Sequence, residues 1–484
     1  MRRVAAAQLQ VEETTMADVR REPELFIGGR WRPGGGENSP VESPATEEAV
    51  AVTTQGDEAD LEEAVQAARD AAPGWAATPV AERVRFLRRL HEVLTERADR
   101  FAETITQELG TPPPLNRRFQ VDVPLAALAA TADALEAYPF RTEIGNSVIL
   151  REPVGVVGAI TPWNLPLHQV LIKVAPALAA GNSVVLKPAE LTPLASFELA
   201  RAIEAAGLPP GVFNLVPGPG ETIGDALARH PGIDQISFTG STQVGRQVMA
   251  AAAPTLKRVT LELGGKSASV VLARSSDETL QTAVKVTVAD CFLNGGQTCT
   301  ALSRMIGPEP QVDAAAEVAA AAAARYQPGG RLAPLDSAQQ RTDVAAFLEP
   351  EAAGGAERVT PHDAPLPERG YYVHPTVFSH VSPRARIARE EIFGPVLSIL
   401  GATDDDHAVA LANDTDYGLS GAVWSDHTEA AEELAGRLRT GQVAINGGAF
   451  NVGAPFGGYK ASGIGRELGH YGIEDTLQLK AIQR

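Results

Sequence analysis

The chain has 484 residues, 44% of them hydrophobic and 21% charged, with a formal charge of −18 at pH 7. That length suits about three domains or subdomains. The acidic balance argues against nucleic acid or an anionic membrane as partner, because phosphate backbones are met by a basic face. No apolar run reaches the roughly 18 residues of a membrane span; VGVVGAI at 154–160 is far too short. Only two cysteines occur, Cys291 and Cys299. They resemble no secreted disulfide framework and point to a reducing, cytoplasmic compartment.

The opening MRRVAAAQLQVEETT is basic at its start but lacks an apolar core of signal-peptide length. Residues 1–22 are expected to be a mobile extension, and Met16 would itself make a sensible start. From 58 to 110 apolar and charged positions alternate at helical spacing and stop at GTPPP, and a second amphipathic helix is predicted over 122–137. A short extended stretch, TEIGNSVILREPVG, turns at Gly145 and Asn146. After 154 the pattern becomes strand, loop, helix, repeated: VGVVGAITP, HQVLIKVAPALAAG, NSVVLKPAE, LASFELARAIEAAG, VFNLVPG and QISFTG, with a helix from about Thr242. Short apolar strands alternating with helices imply a parallel sheet covered on both faces, an α/β fold. Beyond 261 the units are less regular: SASVVLA, a long helix into CFLNGGQTC, RMIGP, and an alanine-rich helix at 313–325. The tail after 454 is expected to be extended.

Several residues in these turns can carry chemistry. FTGSTQVG follows an apolar strand and opens a helix, so Gly240, Gly245 and Ser241 offer backbone N–H groups and a hydroxyl to a pyrophosphate. The same pattern also describes an ordinary strand-to-helix turn, as does PGPGETIG with Gly218, Gly220 and Gly224. LKPAE places Lys187 and Glu190 at a strand end, where open α/β sheets bind ligands. A carboxylate there accepts from ribose hydroxyls and repels an added 2′-phosphate, favouring NAD, with NADP as the alternative. LELGGKS sets Glu262 before two glycines, and TPWNLP sets Asn164 where its amide could donate to an oxyanion. Cys299, in NGGQTC, reads by itself as a small buried core residue, as most free cysteines are. No His/Cys/Asp cluster has metal-ligand spacing, so no metal is expected.

Taken in order, TPWNLP, LKPAE, FTGSTQVG, LELGGKS, NGGQTC, EEIFGPV and PFGGYKASGIGRELG resemble the aldehyde dehydrogenase superfamily from about residue 25 to 484. The resemblance implies a Rossmann-like NAD-binding domain (23–137 and 151–262) and a second α/β catalytic domain (263–443), with the 444–469 loop lining the active site. It also implies a β-flap for oligomerisation (138–150 and 470–484), hence a homodimer or homotetramer. It makes Cys299 the nucleophile, Glu262 the general base and Asn164 the oxyanion donor. Lys173 matches a position given a proton-relay role, the alternative being a helix-surface lysine. Thr161, Trp163, Lys187, Glu190, Gly240, Ser241, Gly245, Glu391 and Phe393 would hold the cofactor. The chemistry suits these residue types. An aldehyde carbon loses hydride only once a nucleophile has made it tetrahedral, and a thiolate is nucleophilic near neutral pH and leaves a hydrolysable thioester.

The segment between Glu262 and Cys299 is a few residues longer than the family pattern, and RYQPGGRLAPLDS replaces a usual turn after Arg304. Cys291, matched by no motif, is read as a packed residue. The substrate pocket is expected from Leu165, His168, Gln169, Ile172, Leu293, Thr298, Thr300 and Phe450, with Phe456 nearby and an entrance widened at Gly447 and Gly448. His168 and Gln169 suggest a partly polar small-molecule aldehyde, although a histidine on such a helix is commonly a packing residue. Two alternatives differ in outcome: a CoA-acylating dehydrogenase, which retention of Glu262 disfavours, and a non-catalytic scaffold on the same fold.

Overall fold

The computed structural model describes residues 19–484. They form two compact units. The first takes the described residues up to Ser237 together with Val248–Arg258 and Leu468–Arg484; the second takes Phe238–Gln247 and Val259–Glu467. Most of the expected 1–22 extension lies outside the described residues. Arg20–Glu22, however, is not an extension: it is a strand paired in parallel with Glu48–Thr54. Burial of Glu22 against Arg20 and Arg201 explains the difference, since the ion pairs anchor a segment whose composition alone reads as tail.

In the first unit, strands Val156–Ile160, Ser183–Lys187 and Phe213–Leu215 pair in parallel, each within the stretch anticipated for it. Glu24–Ile27 and Arg30–Pro33 extend the sheet antiparallel. The 58–110 region divides into helices Glu58–Ala76, Val80–Glu96 and Ala98–Leu109. Asp57 starts the first with a capping box closed by Asp60, and Gly110, at φ +71°, ends the third. Leu87, Leu90, Phe101, Leu128, Val174 and Phe197 lie in their shared core. Helix Pro166–Ala180 is buried at every position but His168, as a helix apolar all round must be. Helix Leu194–Ala206 follows Pro193, which offers no side-chain cap. Glu108 supplies one from a distance: its two oxygens accept from the N–H groups of Leu194 and Ala195 at 2.7 and 3.1 Å. Burial pushes this carboxyl up to about 8, against the pull of those two bonds.

Arg141–Ile144, Ser147–Pro153 and Leu477–Gln483 form a separate antiparallel sheet. The tail leading there is not simply extended. Gly469–Asp475 is a helix whose Ile473 is fully buried in the first unit's core. Two glycines hide it from propensity reasoning, and packing supplies the stability.

The second unit carries a seven-stranded sheet in the order Glu357–Arg358, Thr376–Ser379, Val396–Ala402, Arg304–Pro308, Ala268–Val271, Gly421–Trp424, Ala444–Ile445. All its pairings are parallel except the first. Helix Asp277–Cys291 packs on this sheet and delivers the chain to NGGQTC. Cys291 is 1% exposed, a packed residue whose thiol is pushed upward by burial.

Candidate active site

In the second unit, three chemically able side chains gather on two glycines. Glu262 ends strand Arg258–Glu262 and is 2% exposed. The next residues, Gly264 and Gly265, receive the carboxylate of Glu391. The Gly265 N–H donates to Glu391 Oε1 at 3.0 Å, and a Cβ on Gly264 would stand 2.0 Å from Oε2. A Cβ on Gly265 would lie 2.4 Å from the carbonyl oxygen of Cys299. The glycines are therefore required by close approach from both sides. A third, Gly457 at φ +152°, leaves room beside Glu262, whose Oε1 a Cβ would meet at 2.7 Å.

The loop carrying Cys299 is bent by three left-handed residues in a row, Asn294, Gly295 and Gly296, at φ +53°, +68° and +78°. Gln297, fully buried, holds that bend. Its amide donates to the carbonyls of Asn294 and Pro334 at 2.9 and 3.1 Å and accepts from the Asp336 N–H at 2.8 Å. Burial pushes the Cys299 thiol up to about 12, helped by the charges of Glu391 and then Glu262, while the N–H groups of Cys299 and Thr300 pull it down. At neutral pH such a thiol favours its protonated form, so it reacts when a base takes its proton. Burial also raises Glu391, to about 7, offset by the Gly265 N–H and by Lys266. Phe393 sits at φ +55°, its carbonyl accepting from Gln340 at 2.9 Å.

Leu293 and Thr300 are partly exposed, and Thr298, next to Cys299 in the chain, is buried. Phe450, half exposed, meets the buried Phe456 edge-on with ring centroids 6.2 Å apart. Within FTGSTQVG, the Gly240 N–H donates to the Glu262 carbonyl at 3.1 Å, and Ser241 accepts from the Val244 N–H at 3.2 Å, capping helix Thr242–Ala252. Gly245 is tight against Leu263, which a Cβ would approach to 2.5 Å.

The first unit holds the remaining candidates. The turn Thr161–Asn164 is pinned from three directions. The Thr161 N–H donates to the Lys187 carbonyl at 3.2 Å, Thr192 donates to the Trp163 carbonyl at 3.0 Å, and Gln120 donates to the Asn164 carbonyl at 3.2 Å. Asn164 itself is 3% exposed. Leu165, Gln169 and Ile172 are buried along the following helix, and His168 is pushed down to about 4 by burial and then by Lys173. Lys173 is no surface lysine: it is 3% exposed and donates to Ser237 Oγ at 3.3 Å. Lys187 is buried, which lowers its pKa, and its Nζ stands 3.7 Å from Glu190 Oε1. The same Glu190 oxygen accepts from the Gly220 N–H at 2.6 Å, so PGPGETIG and LKPAE are joined. An exposed carboxylate preset at a strand end, beside a buried ammonium, can accept hydrogen bonds from ribose hydroxyls.

Reading the sequence did not anticipate Gln297 as the clamp, Gly457 as the space beside Glu262, or Lys266. Two glycines directly after a carboxylate were the available signal. Among the described residues no group of three His, Cys, Asp or Glu is arranged to hold a metal, and no helix is long and apolar enough to cross a membrane.

With this geometry in place, comparison with known proteins is direct. A model of the aldehyde dehydrogenase family matches residues 31–482. The chain is 44% identical to a 3-succinoylsemialdehyde-pyridine dehydrogenase of a Pseudomonas species, covering 95% of this chain and 98% of that one. It is 41% identical to geranial dehydrogenase of Castellaniella defragrans, over 95% and 98%. Among solved structures, a cysteine-to-alanine mutant of aldehyde dehydrogenase C from Pseudomonas syringae, complexed with NAD+ and octanal, superposes with a TM-score of 0.92. The identity there is 43%, with 95% of this chain and 96% of that chain covered. The aldehyde dehydrogenase of Mycobacterium tuberculosis complexed with NAD+ gives 0.93 at 38% identity, over 96% and 99%. The chain belongs to the aldehyde dehydrogenase family.

Proposed function

We propose that the protein oxidises a small-molecule aldehyde to its carboxylic acid, with NAD preferred, through a thiohemiacetal and then a thioester on Cys299. The observation that carries this reading is the gathering of Cys299, Glu262 and Glu391 on the Gly264–Gly265 turn. Glu262 takes the Cys299 proton as Sγ bonds to the aldehyde carbon. The resulting oxyanion is met by the Cys299 N–H and the Asn164 amide. NAD, when bound, supplies the hydride acceptor. Glu262 passes the thiol proton onward through Lys173, which frees it to deprotonate the water that cleaves the thioester and releases Cys299 as a thiolate. Thr161, Trp163, Lys187, Glu190, Gly240, Ser241 and Gly245 are assigned to the cofactor, with Glu391 and Phe393 fixing its reactive end.

For the substrate, the pyridine semialdehyde, geranial and octanal of the relatives all join an aldehyde to a long tail. Leu165, Ile172, Leu293 and Phe450 suit such a tail, with His168, Gln169, Thr298, Thr300 and Phe456 completing the pocket. Half-exposed or exposed Ile144, Leu479 and Ile482 on the small antiparallel sheet support a homodimer or homotetramer. The two free cysteines favour the cytoplasm. The test is NADH absorbance with octanal, geranial and a pyridyl semialdehyde, with product analysis for free acid. Cys299→Ala is expected to lose turnover and keep NAD binding. Near-normal turnover in that variant would overturn the assignment.

A further inference from the structure

Beside the strand Ala268–Val271 the second unit has a small, partly open cavity of about 20 Å³. One water needs roughly 10–15 Å³, and a halide ion somewhat more. Its wall includes Lys266, Ser267, Arg304, Arg439 and Thr440, and no Asp or Glu lines it. Two of the cations are deeply buried: Lys266 is 1% and Arg304 is 2% exposed.

Neither buried cation is hydrogen-bonded to a carboxylate. Arg304 spends three donors on the carbonyls of Lys266, Leu411 and Ala412, leaving two of the five a guanidinium carries. Lys266 Nζ makes no hydrogen bond, and neither do the buried Ser267 Oγ and Thr440 Oγ1. Cys291, Glu391 and Glu390 act on Lys266 only through their charge, as Asp414 does on Arg304, where Arg389 opposes it. Glu391 is committed to the Gly265 N–H, and Glu390 is bonded twice to Arg386 at 2.7 and 2.9 Å. A buried charge left in this condition is costly unless an opposite charge joins it.

We propose that this cavity binds one small monovalent anion of halide size, held by Lys266 and Arg304 and by the hydroxyls of Ser267 and Thr440. The ammonium form of Lys266 is lowered to about 7 by burial and by Arg304, against the charges of Cys291, Glu391 and Glu390. An anion restores it, so binding tightens as pH falls through that value. The site adjoins the catalytic turn: Gly418, in the cavity wall, donates to Ser462 Oγ at 2.9 Å, and Ser462 donates to the Gly264 carbonyl at 2.6 Å.

Bromide is the probe. Full-length protein in sodium gluconate, an anion too large for the cavity, is titrated with sodium bromide at constant ionic strength. Thermal midpoint is followed at pH 6 and pH 8.5, and a bromide-soaked crystal is measured at the bromine edge. The expected results are a saturable rise in midpoint, tighter at pH 6, and an anomalous peak in the cavity. Ser267→Ala and Thr440→Val should each weaken bromide about tenfold, and Lys266→Met should remove the pH dependence. A cavity without a bromide peak, equal midpoints in bromide and gluconate, or unchanged affinity in both hydroxyl variants would each overturn the proposal.

Discussion

Gly264→Ala isolates the cradle under Glu391. The glycine's φ is not left-handed, so alanine brings no backbone strain and acts only through its methyl group. That methyl would fall 2.0 Å from Glu391 Oε2 and 2.7 Å from its carboxyl carbon, far inside contact distance. The carboxylate must leave, losing its 3.0 Å bond from the Gly265 N–H. A hydrogen bond to a charged group contributes about 1.5–3 kcal/mol. Misplacing a positioning group by an ångström costs about 100-fold in rate. Above pH 8 Glu391 is ionised and its charge is the first neighbour raising the Cys299 thiol. Moving it away therefore lowers the thiol's pKa and speeds alkylation by iodoacetamide at a given pH, even as turnover falls about 100-fold. The assay pairs an alkylation pH profile without cofactor with NADH kinetics. An alkylation profile identical to the unaltered enzyme would refute the reasoning, because the charge would then not have moved.

Glu262→Gln should retain one burst of NADH per active site and then stall, with steady turnover down about 100-fold or more; equal loss in both phases counts against its role in deacylation. Glu190→Ala removes the acceptor of the Gly220 N–H and the charge that repels a 2′-phosphate. The kcat/KM ratio of NADP over NAD should rise about tenfold, and an unchanged ratio would move discrimination to another residue. Glu108 is raised in the folded state from an ordinary 4.5 to about 8. An acid raised on folding leaves stability undiminished below its unfolded value and erodes it as pH rises from there through about 8. The unaltered enzyme should lose thermal midpoint over that window. Glu108→Gln should start lower, having lost one N–H acceptor, and show a flatter profile; an equally steep profile would assign the slope elsewhere.

Much of the fold was legible because its strands announce themselves. Val156–Ile160, Ser183–Lys187 and Gln235–Thr239 are uninterrupted buried runs, each ended by a turn residue with a reason to be there. What stayed hidden depends on partners far along the chain. Arg20–Glu22 is a strand because Arg201 and Glu198 lie across from it. Lys173 is interior because of tertiary packing, including its bond to Ser237. Gly469–Asp475 is helical against its own glycines because Ile473 has a core to enter.

The site divides the same way. The motifs singled out Glu262, Cys299 and Glu391 as side chains able to take protons, attack carbon or accept hydrogen bonds. They could not say that Glu391 depends on the absence of a methyl group 127 residues earlier, at Gly264, since a glycine's reason lies in its neighbour. Nor could they show what surrounds the sulfur and opposes its ionisation. Burial and two carboxylates hold Cys299 protonated, and the N–H groups of Cys299 and Thr300 oppose them without prevailing. A nucleophile so poised reacts at neutral pH only in concert with a base. Glu262, 2% exposed and given its space by Gly457, is the carboxylate proposed above as that base.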